Sequence, residues 1–255
     1  MDLRRNKFKA AIQRGERQIG LWCSMSDSSV AEMLAGCGYD WLLFDTEHAA
    51  LDPISVLPLL QAVASYPVTP IVRPTSLNVA EIKKLLDCGA QTLLVPQIQN
   101  AEEAKLAAAS VAYPPHGIRG VAGLTRATGF GAIEGYAAAA RDDICLLLQV
   151  ETKSALDELD AICAVDGVDG IFIGPADLAA SLGHPENPQH PEVKAAVLDA
   201  VKRIKAAGKP AGFLSLSQEW NREIDEAGSL FTAVDVDIAI LRQGALARAK
   251  EWKGA

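Results

Sequence analysis

Short, strongly apolar stretches recur along the chain: IGLWCSM (19–25), WLLFD (41–45), PIVRP (70–74), TLLVPQI (92–98), ICLLLQVE (144–151), GIFIG (170–174), AGFL (211–214) and LFTAVDVD (230–237). Each has strand length. Most are continuously apolar rather than alternating, which is the pattern of a strand covered on both faces. Between most of them apolar residues return with helical spacing. Val79, Ile82, Leu85 and Leu86 form one such face, opened by Asn78 with Glu81 three residues on and closed by Gly89 at a C-cap position. Asn100 and Glu103 repeat the opening device before an Ala-rich helix. Asp52-Pro53 reads as a cap followed by proline at the first helical position, and 191–207 reads as a long amphipathic helix.

Eight strands alternating with helices predict an α/β fold, a (β/α)8 TIM barrel, as one domain over 1–255. A doubly wound open sheet shares the alternation, but no GxGxxG follows the first strand, which disfavours its nucleotide-binding form. No linker or low-complexity tract divides the chain. The stretch 113–143 carries Gly and Pro and is less regular. In a barrel it would form a long loop and a helix over the active face.

In such barrels chemistry gathers at the C-terminal ends of the strands. The second apolar run leads into Asp45, Glu47 and His48, the third reaches Arg73, the fifth ends in Gln149 and Glu151, and the sixth leads into Gly174-Pro175-Ala176-Asp177. All these groups are expected at one mouth. Gln149 and Glu151 are two residues apart and so share a strand face, leaving Leu148 and Val150 to face the helices. Glu151 and Asp177 suit an oxygen-preferring divalent ion such as Mg2+ or Mn2+. The plainer readings are a helix-start acid for Glu151 and a helix cap for Asp177. Arg73 offers a planar two-pronged donor to a carboxylate or a developing oxyanion, or else a structural ion pair. His48 alone among the histidines lies at a strand end and is the candidate general base. His116, His184 and His190 fall beside Pro or Gly and read as turn or solvent residues. The sixth strand has no lysine for a Schiff base, and Lys153 reads as solvent-facing or structural.

Composition narrows the partners. Apolar residues make up 49%, enough for a substantial core, and the net charge of −8 with no basic stripe argues against nucleic acid. The apolar runs fall well short of the ~18 residues of a membrane span. The basic N-terminus has no apolar segment of the secretory kind. Five scattered cysteines without a CxxC pair read as reduced, buried thiols of a cytoplasmic protein.

The segments WLLFDTEHA, PIVRP, LLVPQIQNAEEA, YPPHGIRG, LLQVET and VDGVDGIFIGPADLAASLG, in this order, resemble the HpcH/HpaI aldolase family, from about Gly20 to Leu241. The resemblance implies a class II, metal-dependent pyruvate aldolase on a (β/α)8 barrel. Such a lyase reversibly cleaves 4-hydroxy-2-keto acids to an aldehyde and pyruvate, or a substituted pyruvate such as hydroxypyruvate, through a metal-stabilised enolate. By resemblance, Glu151 and Asp177 bind the metal, which would be Mg2+, Mn2+ or Co2+. Gln149, Asp177 and the backbone of Ala176 hold the substrate, and Trp22 lines the pocket. Arg73 steadies the enolate, His48 is the base, and Asp87 is the acid that raises its basicity. On its helix Asp87 otherwise looks like an ordinary last-turn residue.

The resemblance further implies a homohexamer, a trimer of dimers with exchanged C-terminal helices, for which 239–252 is suited. A neighbouring subunit would help wall the pocket, so that Asp87 could act across an interface. The segment 121–130 is expected to close the pocket and set aldehyde choice, with Arg126 meeting a distal carboxylate or sugar hydroxyls. Two other readings stand beside this one. A citrate-lyase or malyl-CoA-type lyase of the same superfamily would need room for coenzyme A, and no extra segment provides it. A barrel that binds a keto acid without turnover would not need the full set of His48, Arg73, Glu151 and Asp177.

Overall fold

The computed structural model describes residues 5–254, which form a closed barrel of eight parallel strands in sequence order. Helix α1 (Lys7–Gln13) precedes β1 (Gln18–Cys23), followed by α2 (Ser28–Ala35), β2 (Trp41–Asp45), α3 (Val56–Ala62), β3 (Thr69–Arg73), α4 (Val79–Asp87) and β4 (Thr92–Val95). The second half contains α5 (Ala101–Val111), α6 (Tyr136–Asp143), β5 (Cys145–Val150), α7 (Lys153–Asp157), α8 (Leu159–Cys163) and β6 (Gly170–Ile173). It ends with α9 (Pro175–Ser181), α10 (Pro191–Ala206), β7 (Ala211–Leu214), α11 (Gln218–Ala227), β8 (Ser229–Val236) and α12 (Asp237–Lys253).

Two apolar layers hold the barrel. Leu42, Phe44, Val72, Leu146, Leu148, Val150 and Ile173 face the helices, whereas Trp22, Trp41, Leu43, Ile71, Leu147, Phe172 and Phe231 fill the interior. Helix α1 closes the lower end, placing the buried Phe8 edge-on to Trp41 and Phe231 with ring centroids 6.2 and 5.7 Å apart. Interior space is so limited that a Cβ on Gly20 would lie 2.0 Å from the Trp41 ring, and one on Gly212 would lie 2.1 Å from Phe231. Asp237 accepts the amides of Ser24 and Met25 at 2.9 and 3.0 Å, pinning the start of α12 to the end of β1.

Several local expectations hold. Asn78 caps α4 by accepting from the Ala80 and Glu81 amides, and Gly89 follows α4 at φ +91°. Asn100 accepts from the Glu103 amide, while Glu103 reaches back to the Gln99 amide. Others need correction. Asp52 and Pro53 do hold the cap and first helical positions, but of a 3-10 turn (Pro53–Ser55) that runs directly into α3, and the Asp52 side chain makes no capping bond there. Of the cysteines, Cys23, Cys145 and Cys163 are buried, but Cys88 is half-buried and Cys37 exposed.

The segment 121–130 does not cover the mouth of its own barrel. Arg126 donates to the carbonyls of Cys88 and Leu60 at 2.9 and 3.4 Å, and the Ala127 amide donates to the Asp87 carbonyl at 3.2 Å. Those acceptors lie at or near the C-terminal ends of α3 and α4, at the opposite end of the barrel. Backbone carbonyls left over at helix ends need donors, and Arg126 supplies them there, away from the mouth of its own barrel.

Candidate active site

The parallel register places Asp45 directly across from Arg73, at the last residues of β2 and β3. The pair is buried and bidentate: Arg73 donates from Nε to Asp45 Oδ1 at 2.8 Å and from Nη2 to Asp45 Oδ2 at 2.6 Å. Its third nitrogen, Nη1, lies 2.8 Å from Glu47 Oε2. Trp22 donates from Nε1 to Asp45 Oδ2 at 3.1 Å, and its ring lies under the guanidinium at 4.6 Å. Asp45 also accepts the amides of Glu47 and His48 at 3.0 and 3.4 Å, which folds the chain after β2 into a turn. Thr46 locks that turn to β3, its amide and hydroxyl both donating to the Arg73 carbonyl. The His48 ring projects from the turn with its side chain 64% exposed, and Nε2 lies 3.8 Å from Glu47 Oε2. Glu47 thus stands between the arginine and the imidazole.

Across the mouth, Glu151 follows β5 and is buried. Its two oxygens are fixed separately: Oε1 accepts the Gln97 amide at 2.9 Å, and Oε2 accepts from Gln149 Nε2 at 2.5 Å. Gln97 takes a left-handed φ of +59°, a strained conformation for a residue with a Cβ, and that conformation aims its amide at the carboxylate. Gly174 makes the close packing possible, since a Cβ there would meet Glu151 Oε2 at 2.4 Å and Gln149 Nε2 at 3.0 Å. Helix α9 starts at Pro175 with Gly174 as its cap residue, so Asp177 falls inside the first turn rather than at the cap. The helix dipole favours an acid at that position. Ala176 lies in the same turn, where backbone N–H groups have no intrahelical acceptor.

The electrostatics are uneven. Burial pushes the Asp45 acid up, but its hydrogen bonds and charge contact with Arg73 outweigh this and leave it below the ordinary range. Glu47 moves up, chiefly through burial, with Arg73 opposing and Asp45 and Asp177 adding to the rise. Glu151 is pushed up to about 7, mainly by burial and further by Asp177 and Glu47, against the bonds from Gln149 and Gln97. Arg73 is already engaged by Asp45 and Glu47. Among the described residues neither Glu151 nor Asp177 has a lysine or arginine in ion-pair range. The Gln149 Oε1 is buried without a hydrogen-bond partner. A crowded, all-oxygen donor set that lacks a counter-charge fits a hard divalent cation, which commonly takes only one or two protein carboxylates.

His48, Arg73, Gln149, Glu151, Ala176, Asp177 and Trp22 therefore lie at the same end of the barrel, on or just beyond their strands. Asp87 does not join them within one subunit. It ends α4 at the opposite end, where Arg119 Nη2 donates to Asp87 Oδ1 at 3.0 Å. Lys153 is exposed at the start of α7, as expected. From the sequence, Asp45 and Glu47 belong to a cluster in which an acid can orient His48; the register across from Arg73 gives Asp45 a role of its own. Gln97 and Arg119 went unnoticed. Nothing in the string marks a Gln for positive φ, and Arg119 is a buried cation stacked 4.4 Å over Tyr113.

Comparison with known proteins agrees with this geometry. The profile of the HpcH/HpaI aldolase/citrate lyase family matches residues 18–243. A hydroxypyruvate/pyruvate aldolase from Sagittula stellata is 57% identical over 252 residues, covering 99% of this chain and 100% of the relative. A 4-hydroxy-2-oxo-heptane-1,7-dioate aldolase from Klebsiella pneumoniae is 52% identical, covering 97% of this chain and 94% of the relative. The crystal structure of an HpcH/HpaI aldolase/citrate lyase family protein from Burkholderia cenocepacia J2315 matches with a TM-score of 0.94 at 36% identity, over 97% of this chain and 99% of that one. With its motifs gathered at one barrel mouth and full-length relatives of this identity, the chain belongs to the HpcH/HpaI aldolase/citrate lyase family.

Proposed function

We propose that the mouth holds one divalent cation, Mg2+, Mn2+ or Co2+, between Glu151 and Asp177, and that the residues around it carry out the aldol cleavage. The protein is an aldolase, a carbon–carbon lyase that yields pyruvate. Relatives at 50–57% identity are named as pyruvate, hydroxypyruvate/pyruvate or 4-hydroxy-2-oxo-heptane-1,7-dioate aldolases, which favours this activity over citrate-lyase chemistry. The Sagittula relative names both pyruvate and hydroxypyruvate, and we extend both donors to this chain. The observation that carries the metal reading is Glu151: buried, fixed on both oxygens, next to Asp177 and without a cationic partner.

Cleaving C3–C4 of a 4-hydroxy-2-keto acid requires a base for the C4 hydroxyl proton and positive charge near the C2 oxygen, where negative charge develops. When bound, the cation supplies Lewis-acid stabilisation of that charge. His48, exposed at the mouth and flanked by Glu47, takes the C4 proton. Arg73 is held rigid by Asp45 and adds a positively charged, two-pronged donor at a fixed place. Gln149 and the first turn of α9, with Ala176, orient the keto acid, and Trp22 forms the floor beneath Arg73. The electron pair left by the broken C3–C4 bond is quenched by a proton at C3, which completes pyruvate.

Asp87 serves His48 of a neighbouring subunit in this reading, because it lies at the far end of its own barrel. A hexamer with exchanged C-terminal helices would bring such surfaces together. Helix α12 supports it, since Ile240, Leu241, Leu246 and Trp252 are left exposed. Among the described residues no helix is long and apolar enough to cross a membrane. Five free thiols support a reducing compartment, the cytoplasm. The deciding assay is pyruvate release from a 4-hydroxy-2-keto acid. EDTA abolishes it and Mn2+ or Mg2+ restores it; turnover that survives chelation and is trapped by borohydride would overturn the metal mechanism.

A further inference from the structure

The loop joining α9 to α10 carries donors that the aldolase chemistry leaves unused. His184 lies three residues past α9, His190 caps α10, and Glu192 is in the first turn of α10. The two imidazoles stack with centroids 3.5 Å apart and planes 16° apart. His184 Nε2 is 2.7 Å from Glu192 Oε2, and His190 Nδ1 accepts the Glu192 amide at 3.3 Å. One ligand atom from each of the three residues lies within 4.8 Å of the other two. The loop is tied at three points: the His184 amide to the Ala179 carbonyl, Asn187 to His184, and His190 to Asn187, at 2.8, 3.1 and 3.1 Å. The donors are thus presented by a short, braced segment.

We propose that His184, His190 and Glu192 bind one imidazole-preferring divalent ion, of the Zn2+, Ni2+ or Cu2+ class, at a site separate from the catalytic mouth. Two ring nitrogens and a carboxylate are a donor set that borderline metals favour, whereas the all-oxygen mouth suits hard cations. The two sites therefore sort metals by chemistry. Tetrahedral zinc with nitrogen and oxygen ligands near 2.1 Å spaces them about 3.3 Å apart, so the His184–Glu192 pair opens by roughly half an ångström to admit the ion. His190 exchanges a long cap bond for a metal bond through Nδ1. The parallel rings must tilt apart, because two lone pairs lying in stacked planes cannot converge on one centre. Water completes the sphere. The site terminates the same loop–helix unit whose first turn carries Asp177, so an ion there braces that helix from its far end.

The test is Zn2+ titration of the full chain by calorimetry in the double variant Glu151→Gln/Asp177→Asn, in which the mouth is silenced. One Zn2+ per chain is expected, with apparent affinity falling more than about tenfold when either His184→Ala or His190→Ala is added. No stoichiometric Zn2+, or binding that survives the removal of both histidines, overturns the proposal. Should the double variant not fold, wild-type protein saturated with Mg2+ gives the same decision by NMR. Added Zn2+ must shift the ring resonances of His184 and His190 together, and unshifted rings contradict the site. Failure here leaves the aldolase reading untouched, since none of the three residues belongs to it.

Discussion

Asp45 commits both oxygens to the Arg73 guanidinium, and Trp22, Glu47 and Thr46 fasten the same corner. An amide at position 45 keeps the shape but loses the charge and one acceptor. Asp45→Asn should therefore lower kcat/KM by about a hundredfold through misplacement of Arg73, with Mn2+ affinity little changed. Steady-state kinetics beside a Mn2+ titration check this, and a matching loss of metal affinity would relocate Asp45's role. Glu151 gives a pH dependence. Its acid lies at about 7, raised mainly by burial, so below that pH the metal-free protein carries a proton that the cation must displace. Apparent metal affinity should fall about tenfold per unit below pH 7 and flatten above it. A raised carboxylic acid also makes the metal-free fold lose stability as pH climbs from the unfolded value toward 7. Mn2+ binding followed by EPR across that range tests the first point, and urea unfolding of the metal-free protein tests the second. At this scale the sequence made the residue types legible but not their pairings. Asp45 meets Arg73 because of the register, and Gln97 contributes a backbone amide that no side-chain identity announces.

Continuous apolar runs made all eight strands legible to within a few residues, because a parallel strand is covered on both faces and shows no competing polar period. The string was least specific where polar loop chemistry has several solutions. Asp52-Pro53 signals a helix start, and the start it makes is a 3-10 turn leading into α3. The segment 121–130 could have folded over either end, and the free carbonyls of α3 and α4 drew Arg126 to the lower one. Glycine spacing within strands encodes ring placement. Gly20→Ala forces a methyl into the Trp41 ring and should destabilise the barrel by about 2–3 kcal/mol, seen as a lower urea midpoint at unchanged slope. Gly174→Ala pushes instead on Glu151 and Gln149. It should abolish Mn2+ binding while circular dichroism stays native.

Across the whole molecule, the barrel mouth and the last helix raise the same question of what a neighbour supplies. Every residue from Leu241 to Gly254 is exposed, and α12 buries only Asp237. A helix carrying Leu241, Leu246 and Trp252 in water exposes surface that another chain can cover. If α12 builds the proposed hexamer, Leu241→Asp with Leu246→Asp should yield smaller species by native mass spectrometry; an unchanged mass would mean that α12 plays no part in assembly. Mixing His48→Ala with Asp87→Asn subunits should regenerate activity neither has alone, if Asp87 works across an interface. The expectation of assembly rests on family resemblance alone, and the exposed face of α12 could not be read from the string, since exposure of a helix face depends on where the barrel leaves it.

The most direct measurement is anomalous diffraction from crystals grown with Mn2+ and pyruvate. The account predicts one strong peak at the mouth in contact with the carboxylates of both Glu151 and Asp177. A mouth in which these two groups point away from any ion would contradict it.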